Sequence, residues 1–180
     1  MCELLARGAN IKATTNKGTT ILYIASEFGH LAVVRELLAR GANIEAANND
    51  GWTSLIIASH TGHLDVVREL LARGANIEAA MNEGATSLFI AASDEGHFGV
   101  VRELLARGAN ANAASNTGDT PLIVASYFGH VEVVRALLAA GANKHHVDND
   151  GDTATSCAGG DNDVKPAAKA AVLALLAAAP

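Results

Sequence analysis

Four histidines recur at a regular interval, and histidine is the most frequent metal ligand in proteins. They follow a glycine each time, at His30, His63, His97 and His130. Stacked helices lie about 8–10 Å apart, so one ion cannot bridge imidazoles that are a whole repeat apart. Hydrogen bonding at helix turns is the better explanation. The pair His145 and His146 lacks a third ligand, and we predict no metal site.

An acidic loop near the C-terminus, Asp148-Asn149-Asp150-Gly151-Asp152, is similar to a calcium-binding loop. With Gly151 at the sixth loop position, Cys157 stands where a bidentate glutamate is required. Ser156-Cys157 lacks the frame of a nucleophile and a histidine-acid pair to activate it. The glycines follow a repeat and not a phosphate-loop pattern. We therefore predict no catalytic residue and no cofactor.

The elements that carry these residues are copies of one unit. The segment VVRELLARGAN begins at residues 33, 66 and 100, and a near copy, VVRALLAAGAN, begins at residue 133. Self-similarity at a period of roughly 20–50 residues indicates one supersecondary unit repeated along an axis. What differs between the copies is therefore the place to look for function.

The unit is read most clearly at residues 49–76. Asn49-Asp50-Gly51 is a turn signal, and Thr53 is suited to cap a helix start. Apolar residues three apart then indicate a short helix that ends near Gly62-His63. A second helix carries an apolar stripe at Val66, Val67, Leu70 and Leu71, and Gly74 is suited to end it in the left-handed region. The pattern predicts a turn followed by two antiparallel helices.

The unit resembles the ankyrin repeat, whose helix pair opens with T-P-L-H-x-A. The corresponding segments are TTILYIA at 19–25, TSLIIA at 53–58, TSLFIA at 86–91, TPLIVA at 120–125 and TATSCA at 153–158. The resemblance implies an all-α solenoid of stacked helix-turn-helix units with β-turn fingers. It departs from the family where histidine follows leucine, because the chain has Tyr23, Ile56, Phe89, Ile123 and Ser156 there.

We expect residues 1–180 to form a single ankyrin-repeat domain. Its units are a partial repeat at 1–14, repeats at about 15–47, 48–80, 81–114 and 115–147, and a degenerate repeat at 148–180. The third full unit is one residue longer, and the insertion should push Asp94 or Glu95 outward.

Composition bounds the class of protein. The net charge of −6 argues against nucleic acid as a partner. Arginines fall in the copied second helix and acids in the connecting turns, which predicts a mixed-charge back and acidic fingertips. The apolar tract 170–179 is too short to span a membrane, and no leader peptide is recognisable. Cys2 and Cys157 lie in opposite terminal units, so we expect no disulfide between them. We expect a soluble, cytoplasmic monomer without membrane association.

The resemblance implies a non-enzymatic scaffold that binds another protein through its concave face and fingers. Two alternatives stay open. The chain begins inside a repeat, so it could be the ankyrin part of a larger enzyme or channel. Its near-identical units would also suit an engineered binder. The predicted partner-binding residues are Lys17, Thr19, Tyr23, Glu27, Asp50, Trp52, Ile56, His60, Glu83, Phe89, Asp94, Thr117, Asp119, Ile123 and Tyr127.

Aromatic residues concentrate at positions that vary between the copies. We expect Trp52 and Phe89 to contact a partner, since exposed rings among polar groups supply interface hot spots. Phe28 and Phe128, next to the Gly-His turn, either pack internally or contact the partner. Phe98 occupies an invariant apolar position of the second helix. Nearby carboxylates suggest a partner surface with apolar and basic groups.

Overall fold

A computed structural model describes residues 10–160 and 164–179, and within these ranges the chain forms ten helices in five pairs. The helices are α1 Ile21–Glu27, α2 Leu31–Ala39, α3 Ser54–His60, α4 Leu64–Ala72, α5 Ser87–Ala92, α6 Phe98–Ala106, α7 Pro121–Tyr127, α8 Val131–Ala139, α9 Ala154–Cys157 and α10 Pro166–Ala178. Extended pairing in the described ranges is limited to two isolated bridges. The all-α class is confirmed. Cys2 and most of the predicted partial repeat 1–14 lie outside the described residues.

Each first helix begins at a capping threonine. The Thr53 hydroxyl oxygen accepts a hydrogen bond from the Ile56 amide at 3.3 Å, which satisfies one of the free amides of the first turn. Pro121 follows the equivalent Thr120 at a position where proline loses no hydrogen bond. The threonines that cap in this way are Thr20, Thr53, Thr86, Thr120 and Thr153. The predicted caps are confirmed.

The helix pairs stack in two rows. The first helices α1, α3, α5, α7 and α9 contact one another in chain order, and so do the second helices α2, α4, α6, α8 and α10. The core between the rows is aliphatic. Val66, Val67 and Leu70 of α4 are fully buried, as their spacing predicts, whereas Leu71 is only partly buried against the core. The buried stripe is therefore narrower than the sequence pattern suggests.

The third full unit accommodates its extra residue at the turn between its helices. Helix α5 ends at Ala92, and Ser93 leaves the helical region with a ψ of −159°. Asp94 and Glu95 are both exposed. The insertion thus lengthens a surface turn without disturbing the stack.

The last described unit departs from the pattern. Helix α9 has four residues, and Thr153 and Ser156 cap each other reciprocally. Helix α10 packs against α8, and the Lys144 ammonium donates to the carbonyl of Ala179 just beyond its end. Lys144 stands where earlier units have Ile44 and Ile77, so a charged group supports this final helix. Asn162 and Asp163, which replace the usual Gly-His, lie outside the described residues.

Candidate functional site

Asparagine side chains tie the turns that precede the first helices into a continuous ladder. The backbone nitrogen of Asn82 donates to the Asp50 carbonyl at 3.1 Å, and the side-chain Nδ2 of Asn82 donates to the Asn49 carbonyl at 2.9 Å. Asn49, Asn116 and Asn149 make the same two bonds to the turn before their own. The spacing of the fingertips is therefore set by the framework. A surface held in place in this way loses little conformational entropy when it binds.

The sequence pattern alone predicts only a local turn role for these asparagines. Their recurrence at the same position of every unit is the sequence feature that could have indicated hydrogen bonds between units. A β-turn explains why asparagine is tolerated, but it does not show that the side-chain amide reaches the neighbouring unit.

The recurring histidines hold the other end of the first helices. The Nε2 atom of His63 lies 3.0 Å from the Glu27 carbonyl, and that of His97 lies 2.8 Å from the His60 carbonyl. His130 contacts two carbonyls of the lengthened unit that precedes it, those of Ser93 at 3.1 Å and Asp94 at 2.8 Å. A carbonyl only accepts, so Nε2 carries the proton. Hydrogen bonding at turns is thus confirmed as the role of these three residues, and the acceptors belong to the preceding unit.

The prediction of partner contact is wrong for two residues, because both are buried. Ile56 is 0% exposed and Ile123 is 2% exposed. Their helices have first helices on both sides, which cover these aliphatic side chains, whereas the larger ring of Phe89 at the equivalent position of α5 stays partly exposed. The other thirteen residues are exposed or partly exposed, and we call them the inner face. They are Lys17, Thr19, Tyr23, Glu27, Asp50, Trp52, His60, Glu83, Phe89, Asp94, Thr117, Asp119 and Tyr127.

Two groups of inner-face residues interact in the first two full units. The Trp52 ring meets the His60 ring edge to face, with centroids 5.4 Å apart, which links a finger to the last turn of α3. Burial raises the pKa of Tyr23, and the carboxylates of Glu27 and Asp50 raise it further. Tyr23 of one unit therefore lies in the electrostatic field of the next unit's fingertip. Aromatic rings and carboxylates share this part of the inner face.

Tyr127 is 41% exposed at the C-terminal part of the inner face, and its ring contacts Phe128 edge to face at 5.1 Å. The same ring occupies the space beside Gly160, where a Cβ would come within 2.7 Å of it. Phe128 is partly buried between Tyr127 and His130, whereas Phe28 is 62% exposed. The two positions beside the Gly-His turns therefore differ in environment.

Charges on the second helices are paired. Glu69 accepts from Arg35 of the preceding unit at 2.8 Å and from Arg73 at 3.1 Å. Glu103 pairs in the same way with Arg68 and Arg107. The hydrogen bond from Arg35 is the main cause that lowers the pKa of Glu69, and those from Arg107 and Arg68 lower the pKa of Glu103. The predicted mixed-charge back is confirmed.

The ladder of ion pairs stops in the fourth unit, where Ala136 replaces the glutamate. The Arg102 guanidinium instead lies 5.9 Å from the centre of the Phe98 ring. Phe98 is 38% exposed despite its invariant apolar position.

The environment of Cys157 disfavours nucleophilic chemistry. Burial, and then the Asp152 carboxylate, raise the pKa of the Cys157 thiol, which disfavours the reactive thiolate.

Among residues 10–160 and 164–179, no three His, Cys, Asp or Glu side chains cluster as metal ligands would. Within the same ranges no helix is both long and apolar enough to cross a bilayer.

Comparison with known proteins agrees with this architecture. A family model described as ankyrin repeats, three copies, matches residues 1–81 and 77–148. A search of curated proteins returned no match to the chain. The matched residues include four of the five capping threonines, the Asn-x-Gly turns of the full units and their Gly-His pairs. The chain belongs to the ankyrin-repeat family.

Proposed function

We propose that this chain is a non-enzymatic scaffold that binds another protein through its inner face. Ankyrin repeats are in general modules for protein interaction. The observation that carries the proposal is the contrast within each unit. Framework positions are buried or joined by hydrogen bonds to a neighbouring unit, whereas the thirteen residues of the inner face, which lie on the fingers, the first helices and the turn that follows α5, are exposed or partly exposed.

The rigidity of the fingers supports a binding role. The asparagine ladder holds neighbouring fingertips in register, so the partner would meet a surface that is already formed. Trp52 and Tyr127 supply large, partly exposed rings of the kind that dominate binding energies. The proposal includes a monomeric state and a cytoplasmic location.

The test is a comparison of two aromatic truncations on opposite sides of the stack. Peptide ligands are first selected from a random library against the immobilised chain, and their dissociation constants are measured by fluorescence anisotropy. Trp52→Ala should weaken binding at least about fivefold, the equivalent of about 1 kcal/mol for a hot-spot residue. Phe98→Ala removes a comparable exposed ring from a second helix and should leave the affinity unchanged. Loss of binding in Phe98→Ala alone would refute the assignment of the face.

A further inference from the structure

Within the described ranges, arginine side chains are confined to one of the two rows of helices. The described arginines all lie on or just after the second helices, at Arg35, Arg40, Arg68, Arg73, Arg102, Arg107 and Arg135. The inner face has one cation, Lys17, and five carboxylates, at Glu27, Asp50, Glu83, Asp94 and Asp119. Glu95, Asp150 and Asp152 are exposed beside it. The field over the inner face is therefore negative.

The carboxylates of the two faces differ in their partners. Those of the second helices form ion pairs with arginine, as Asp65 does with Arg68 and Glu132 with Arg135. None of the carboxylates of the inner face forms an ion pair within the described part of the chain. A cation brought by a partner would therefore meet carboxylates that have no competing internal salt bridge.

Aromatic rings stand beside these carboxylates. The carboxylates of Glu27 and Asp50 both act electrostatically on Tyr23. Trp52 follows Asp50 by two residues, and its ring contacts His60. Guanidinium and ammonium groups bind aromatic faces as well as carboxylates, and the two contacts together stabilise a cation more than either does alone. This combination suits the side chain of arginine or lysine with its long apolar stem.

Repeat geometry restricts the shape of the ligand. Neighbouring first helices lie about 8–10 Å apart, and an extended chain in the polyproline II conformation advances about 3.1 Å per residue with every third side chain on the same side. Each unit therefore faces about three residues of an extended segment laid along the fingers. A segment of about twelve residues would span the four units whose fingertips carry Lys17, Asp50, Glu83 and Thr117.

We infer that the inner face recognises a basic, extended segment of a partner protein, with Lys or Arg at about every third residue opposite its carboxylates and aromatic rings. This inference deepens the proposed function and rests on it. The ligand is a cationic peptide segment, because its charge is complementary to that of the inner face.

The experiment uses a random twelve-residue peptide library displayed on phage and selected on the full chain. Selected peptides should carry a net positive charge with Lys or Arg about three residues apart. Their affinity should fall several-fold between about 50 and 300 mM NaCl, since exposed charges are screened beyond a Debye length of about 10 Å at 0.1 M. The double substitution Asp50→Asn with Glu83→Gln should weaken a selected peptide about tenfold, mainly through a slower association rate.

A matched control changes the same net charge on the other face. Asp65→Asn with Glu132→Gln removes two carboxylates that are 77% and 62% exposed and whose ion pairs are long, at 3.8 and 3.6 Å. This variant should bind the peptide as the unaltered chain does. Equal weakening in both double variants would mean that only overall charge matters, and would overturn the inference.

The outcomes separate this inference from the proposed function. Selected peptides that depend on Trp52 but are neutral or acidic would overturn the charge preference and leave the binding face standing. A selection that yields no binder, or only binders unaffected by Trp52→Ala, would overturn both.

Discussion

Replacement of Gly62 by alanine tests how one unit positions the next. Gly62 has a φ of +74°, and a Cβ there would lie 2.5–3.0 Å from ring atoms of His97. That ring cannot move freely, because its Nε2 atom is bonded to the His60 carbonyl at 2.8 Å. An alanine at residue 62 must therefore displace the ring and break a contact between units. Gly74 offers a matched control, since its φ is +86° and nothing lies within 4 Å of a built Cβ.

The magnitude follows from two contributions. A left-handed backbone costs a residue with a Cβ about 1–2 kcal/mol, and both substitutions share this loss. Gly62→Ala adds the loss of the His97 hydrogen bond, about 1 kcal/mol, and the repulsion that drives the ring away. We expect a free energy of unfolding reduced by about 3 kcal/mol in Gly62→Ala and by about 1.5 kcal/mol in Gly74→Ala.

Urea denaturation followed by circular dichroism measures both changes. The double variant Gly62→Ala with His97→Ala provides the decisive comparison, because without the imidazole the alanine should cost no more than it does at residue 74. The non-additivity should be about 1–2 kcal/mol. Equal losses in Gly62→Ala and Gly74→Ala, or full additivity with His97→Ala, would refute the reasoning.

Three further predictions concern stability. Leu70→Ala should lower the free energy of unfolding by about 3–5 kcal/mol in urea melts, because Leu70 is 0% exposed. Leu71→Ala should lower it by about half as much, because Leu71 is only partly buried. A larger effect of Leu71→Ala than of Leu70→Ala would mean that the apolar stripe is placed wrongly. Asn82→Ala removes the bond to the preceding finger and should cost about 1 kcal/mol, with faster hydrogen exchange confined to the adjoining turns; unchanged exchange there would count against the ladder. The pKa of Glu69 is lowered in the folded state, so its ion pairs stabilise the fold at neutral pH. This stabilisation is lost as the pH falls through the lowered pKa of Glu69. Glu69→Gln should therefore destabilise the chain at pH 7 and progressively less below about pH 4. The exposed Asp65→Asn, whose ion pair is long at 3.8 Å, should change the stability little at pH 7. An effect of Glu69→Gln that grows towards acid would contradict the assignment.

Local patterns in the sequence were sufficient to predict the fold. The threonine caps, the glycine at residue 74 and the spacing of Val66, Val67 and Leu70 each depend on neighbours within one unit, and each is confirmed. Their repetition then implies stacking, because no single helix pair can bury its stripe alone.

Contacts between units were harder to predict. Ile56 lies four residues before His60 on the same helix, so periodicity places both on one side, but the neighbouring first helices cover Ile56 and leave His60 partly exposed. The bond between Arg35 and Glu69 joins residues 34 positions apart, and no helical spacing indicates it. The register between units decides these contacts, and that register depends on three-dimensional packing.

The most direct test of the binding face uses the one tryptophan of the chain, Trp52. Its emission reports on the finger and on His60 without any substitution. Titration with a selected basic peptide should change the emission saturably, with the same dissociation constant that anisotropy of the labelled peptide gives. Saturable anisotropy with no change in Trp52 emission would place the ligand elsewhere on the solenoid and contradict the account.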